Sequence, residues 1–268
     1  MILNLLLRKT IACLAAALLA AALLLGTAAA ADQKHIGGYV DNAQSRFVRN
    51  VWNFVKYFQS PEGIGPHSYV NTQYFWAEPY EFLSDSQAYV NSEDFAYFSG
   101  HGNSYVFACH SNIADVDLRS ASGYGNPSTG GHLQFIVFED CLTVASLPEF
   151  PGDWWSAWLP DSSGHHIFQG LHQAIGFRTL SISDNGIPDE FAQRLLGGQA
   201  VWPAWFNSVQ DQRTYFFGIP LHGSVTDGVP YPGFASVVLH PGLDNDSLGF
   251  IGPTPSASSH SLRTYWQY

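Results

Sequence analysis

Leu133–Phe138 limits the fold of this chain more than any other segment: it is apolar apart from Gln134, and Phe135-Ile136-Val137-Phe138 is unbroken. A strand with one face in water alternates apolar and polar residues. This run does not alternate, and it is too short for a buried helix. It reads as a strand covered on both faces, as in a parallel sheet flanked by helices. Phe95-Ala96-Tyr97-Phe98 is a second apolar run, stopped by Ser99-Gly100-His101-Gly102, and Phe177–Ile182 reads as a third buried strand. His35–Val40 and Phe234–Leu239 supply a first and a last strand, and Ser104–Cys109 a further short one.

Helical patterns fall between these runs. Asp41 or Asn42 caps Ala43–Gln59, where Phe47, Val51, Phe54 and Val55 recur at helical spacing. Trp154–Leu159 and Ile167–Ala174 look helical. Pro188 opens a helix through Leu196 that Gly197-Gly198 ends, and Ala200–Val209 forms another. Tyr69–Phe82 is aromatic and loop-prone, and 253–268 reads as a loose polar tail that begins Pro/Ser-rich. Buried strands alternating with helices predict an α/β domain of three layers, a mostly parallel central sheet with helices on both faces.

The first residues carry a different signal. Arg8-Lys9 precede Ile11–Leu25, which contains only Ala, Leu, Ile and Cys, and small residues follow to Ala31. A basic start, a short apolar run and an Ala-x-Ala exit are the marks of a secretory signal peptide, residues 1–31, cut after Ala31. Ile11–Ala31 is also just long enough to be an uncut membrane anchor, but the apolar run proper is short for a span. Cleavage implies a secreted or periplasmic protein that meets a membrane only in transit, with its domain over 32–252. It takes two of the 11 Lys/Arg residues and none of the 22 acids, leaving a net charge of −13. So few cations cannot neutralise a phosphate backbone, which excludes nucleic acid as a partner. Charged residues at 12% and aromatics at 15% suit a packed globule rather than a disordered chain.

Two strands end in residues fit for chemistry, His101 after the first apolar run and Cys141 after Leu133–Phe138. Open α/β sheets bind ligands at the carboxyl ends of their strands, so neighbouring strands would bring imidazole and sulfur to one crevice. A thiolate is a strong nucleophile, and a histidine can hold it or protonate a leaving amine. Gly102 lets backbone approach a substrate carbonyl, and its N–H can stabilise an oxyanion.

The segments Tyr97-Phe98-Ser99-Gly100-His101-Gly102 and Phe135-Ile136-Val137-Phe138-Glu139-Asp140-Cys141 resemble those of the caspase, gingipain, clostripain, separase and metacaspase clan of cysteine peptidases. Ile175–Leu180, Phe191–Gly198, Trp205-Phe206 and Tyr231–Leu239 look like the corresponding stretches of bacterial caspase-like domains of the CHAT type. The likeness runs in order over about Phe95–Leu239. It implies a caspase-like fold, a peptide or protein substrate, a dyad of His101 and Cys141, Gly102 in the oxyanion hole, and no cofactor or metal. One departure is that Leu142-Thr143-Val144 follow the cysteine, where the family often has small residues or glycine.

Other readings compete at each residue. Cys141 can be a buried structural thiol, or pair with Cys109 in a disulfide, since export permits one. Glu139 and Asp140 can steer a basic substrate group, hold Ca²⁺ or merely flank a strand end. Trp154, Trp155 and Trp158 share one helical stretch and form either a stacking wall for substrate or core packing. His165, His166 and His172 lack the one-turn spacing of a helical zinc site, and no Gly-x-Ser-x-Gly or phosphate-binding glycine loop occurs. The leading expectation is an exported cysteine endopeptidase. Its alternative is a catalytically inactive caspase-fold module that binds a peptide or glycan.

Overall fold

Strand-forming runs with apolar residues on both sides build the centre of the molecule. A computed structural model describes residues 34–58, 69–110, 114–181, 186–217, 233–258 and 261–268. In chain order its strands are β1 (Lys34–Val40), β2 (Tyr69–Trp76), β3 (Phe95–Ser99), β4 (Gly102–Asn103), β5 (Val106–Phe107), β6 (Val116–Asp117), β7 (Phe135–Glu139), β8 (Gln173–Phe177), β9 (Ala235–Leu239) and β10 (Arg263–Trp266). The helices are α1 (Ser45–Val55), α2 (Pro79–Phe82), α3 (Trp154–Trp158), α4 (Gly186–Leu196) and α5 (Val201–Phe217). The main sheet runs β10-β9-β8-β7-β3-β1-β2. Strands β2, β1, β3, β7 and β8 are mutually parallel, β9 is antiparallel to β8, and β10 is antiparallel to β9. Strands β4, β5 and β6 form a separate small antiparallel sheet.

The lack of alternation in the apolar runs has the expected cause. Every residue of β3 and of β7 is buried. Phe95, Tyr97, Phe135 and Val137 join one core with Phe47, Val51 and Phe54 of α1 and with residues of α4 and α5. Ala96, Phe98, Ile136 and Phe138 join a second core on the other face, covered by α2, α3, the small sheet and irregular chain. The architecture is thus the three-layer α/β arrangement with a mostly parallel sheet and helices on both faces. Among the described residues, no helix is long and apolar enough to cross a membrane. Residues 1–31, with the export signal and its alternative reading as an anchor, lie outside the described part.

Four local expectations need correction. Ile167–Ala174 is not helical. Ile167, Phe168, Leu171 and Ala174 all enter the second core, so the apolar spacing reflects burial, but irregular chain delivers them and β8 begins at Gln173. The third buried strand therefore ends at Phe177, where it was expected to start. Its Gly176 packs close to β7, with Phe138 O only 2.6 Å from where a Cβ would stand. The loop-prone Tyr69–Phe82 contains an edge strand and a helical turn. Finally, the tail expected over 253–268 is not loose throughout, because β10 adds a strand to the sheet beside β9. Gln267 beyond it exchanges hydrogen bonds with Ala235 and donates to Phe206 O. Lys34–Tyr268 forms one compact unit.

Candidate active site

Parallel pairing of β3 with β7 sets Ser99 opposite Glu139. His101 and Cys141 each follow two residues further along, beyond the paired strand ends at the carboxyl edge of the sheet. Gly100 N–H donates to Glu139 O at 3.4 Å, so the pairing reaches just beyond the strands. His101 is exposed and Cys141 half-buried.

The turn at His101 is fixed from β1. Asp41, buried immediately after that strand, accepts the His101 N–H at 3.0 Å, while its own N–H donates to Ser99 O. The sequence suggested Asp41 or Asn42 as a helix cap. The helix instead starts after Gln44, whose side chain makes no capping bond. Asn42 Oδ1 accepts the Gln44 N–H at 2.9 Å in the turn before it. Gln44 thereby reaches the imidazole, its Nε2 standing 3.1 Å from His101 Nε2. With the amide donating, the ring proton resides on Nδ1. The Phe47 ring meets the imidazole edge-on at 4.9 Å, adding a second support from α1.

The sulfur is held from the neighbouring strand end. Leu142 N–H donates to Thr179 O, and Ser181 N–H donates to Cys141 Sγ at 3.3 Å, with the Ser181 hydroxyl 3.5 Å from the same sulfur. The hydrogen bonds of imidazole and sulfur run to Gln44 and Ser181 rather than to each other. Leu142 adopts φ +63°, the left-handed conformation that a glycine enters freely. The residue directly after the thiol is thus a strained one.

Gly102 lies against the other side of the turn. A Cβ there would stand 2.5 Å from Asp140 Cγ and 2.6 Å from Thr143 Oγ1, so a close approach requires its lack of side chain. Asp140 is fully buried and accepts the Thr143 hydroxyl at 2.8 Å. Burial lifts its carboxyl well above the usual range. Glu139 is buried too and accepts Asn50 Nδ2 at 2.8 Å. Both of the residues expected to steer a substrate group or flank the strand end are therefore buried. The tryptophan wall is corrected. Trp154 and Trp158 pack in the second core, on the face opposite the helix that touches His101, and only Trp155 is exposed.

Cys109 and Cys141 are both free, so the disulfide alternative is not realised. Cys109 is buried, and burial pushes its thiol up to about 12. Among the described residues, no group of three or more His, Cys, Asp or Glu side chains is placed to hold a metal ion. Sequence reasoning missed Gln44 and Ser181. Gln44 sits beside His101 and Ser181 beside Cys141 through loop geometry that no local pattern encodes.

The model of the DUF6345 family, described as a domain of unknown function, matches residues 36–216. No curated protein matches the chain. Among solved structures, a secreted C11 cysteine protease from Bacteroides thetaiotaomicron, in complex with an irreversible peptide inhibitor, is similar at a TM-score of 0.45 and 12% identity. The alignment covers 77% of this chain and 66% of that one, so the chain spans just under two thirds of that protein's length.

Proposed function

The chain belongs to the DUF6345 family, and for this member we propose an exported cysteine endopeptidase that works through an acyl-enzyme. What supports this reading is the parallel pairing of β3 with β7, which sets Ser99 opposite Glu139, with an exposed imidazole two residues beyond the first and a half-buried free thiol two residues beyond the second. In this reading the Cys141 thiolate attacks a peptide carbonyl carbon, forming a C–S bond while the carbonyl electrons move onto oxygen. Backbone N–H groups at Gly102 and Cys141 receive that oxyanion. Collapse expels the amine, which takes its proton from the His101 imidazolium. Water, deprotonated by His101, then cleaves the thioester. The caspase-like identity of the fold belongs to the same proposal. So does cleavage after Ala31, which rests on the sequence alone.

The test combines labelling with turnover. In native exported protein, iodoacetamide should alkylate Cys141 and leave Cys109 untouched, because Cys109 is buried and its thiol is held up near 12. Cys141→Ala should lower cleavage of a mixed peptide library by about a thousandfold or more. His101→Ala should slow both labelling and turnover. Selective labelling without cleavage of any peptide would favour the inactive binding module. Equal labelling of the two cysteines, or cleavage that survives Cys141→Ala, overturns the reading.

A further inference from the structure

We propose that Ser181 is a positioning residue that holds the Cys141 sulfur as a thiolate through two donors, its backbone N–H and its hydroxyl. The inference rests on the peptidase reading only for its purpose, since the contacts themselves are independent of turnover. Ser181 N–H points at Sγ from 3.3 Å, and the hydroxyl oxygen stands 3.5 Å from it. Thr179, two residues earlier, accepts the Leu142 N–H, so the chain leaving β8 is tied to both residues of the Cys141-Leu142 pair. A hydrogen bond to the charged form of an acid favours ionisation, and two donors on one sulfur act additively in that direction.

Titratable groups at these strand ends are Asp41 after β1, His101 after β3, Glu139 and Asp140 at the end of β7, and Arg178 after β8. Arg178 is turned away, with its guanidinium on Glu149 and on the Gln267 carbonyl. The His101 imidazole is bonded to Gln44 rather than to the sulfur. Among the described residues no cation is bonded to Sγ, so the neutral donors of Ser181 are the groups there that favour a thiolate. A sulfur held this way is ionised more readily, and the same bonds temper its intrinsic nucleophilicity.

The rate of iodoacetamide alkylation at Cys141, mapped by mass spectrometry across pH, reads the ionisation directly. Ser181→Ala should move the midpoint of that profile upward by roughly half a unit to one unit, a three- to tenfold loss of thiolate at neutral pH. Ser181→Thr keeps a hydroxyl and should restore the wild-type midpoint, which a merely structural role would not require. An unchanged or lowered midpoint in Ser181→Ala overturns the proposal, as does an equal shift in both variants. Because labelling is the readout, the test is independent of peptide cleavage. Failure of the peptidase reading appears instead as cleavage indifferent to Cys141→Ala.

Discussion

A glycine can be demanded by what approaches it rather than by its own backbone angles, and Gly102 is such a position. Asp140 and Thr143 are buried and bonded to each other, so neither can yield to a methyl group at 2.5–2.6 Å. Gly102→Ala should therefore destabilise the fold by about 1–3 kcal/mol and disturb the turn that carries His101. Urea denaturation reads the first effect and Cys141 labelling the second, and a neutral result in both removes the packing account. The Ser-Gly-His-Gly motif was legible as a strand followed by a tight turn, but its contact with Asp140 was not. That contact joins residues far apart in sequence. Cys141 was legible for the same reason as His101, since both end an apolar run. Ser181 was hidden because its approach depends on where β8 stops. Gln44 was hidden because it stands exposed at a helix entrance with no pattern of its own.

Strand β3 shows how an element can be secured at a cost that depends on pH. Glu93, just before it, is buried, with its Cγ 2.8 Å from where a Gly37 Cβ would stand in β1. Burial raises its carboxyl from 4.5 to about 8, with Asp94 adding to the effect. The folded protein thus keeps a proton that the unfolded chain sheds above about 4.5. The stability conferred by this group is complete below that value and falls as pH rises toward 8. The loss reaches roughly 3 kcal/mol by pH 7. Glu93→Gln should flatten the decline, giving a higher urea midpoint at pH 7–8 and little change near pH 4. A parallel fall in both proteins would show that other groups set the slope. Strands β3 and β7 were readable because burial on both faces leaves an unbroken apolar run. Strand β8 was misread because His172 and Gln173, both buried, interrupt the pattern while bonded elsewhere, to Asp246 and the Leu243 carbonyl.

The carboxyl-terminal residues close the molecule as a whole. Strand β10 covers the edge of β9, Tyr265 stacks on Trp202 of α5 at 4.8 Å, and Arg178 donates to the Gln267 carbonyl at 2.7 Å. Deleting residues 261–268 should cost about 3 kcal/mol or more, since it uncovers a sheet edge and strips a buried arginine of a partner. Chemical denaturation measures that loss, and an unchanged midpoint would make β10 ornamental. The sequence hid this strand because its four residues follow a Pro/Ser-rich stretch and are too few to display a period. The order of synthesis now matters. Residues 263–267 leave the ribosome after every other described element, yet they anchor Arg178, three positions ahead of Ser181. A chain stalled or clipped before them leaves Arg178 without the Gln267 carbonyl, so the packing three positions ahead of Ser181 is complete only once those residues have been made.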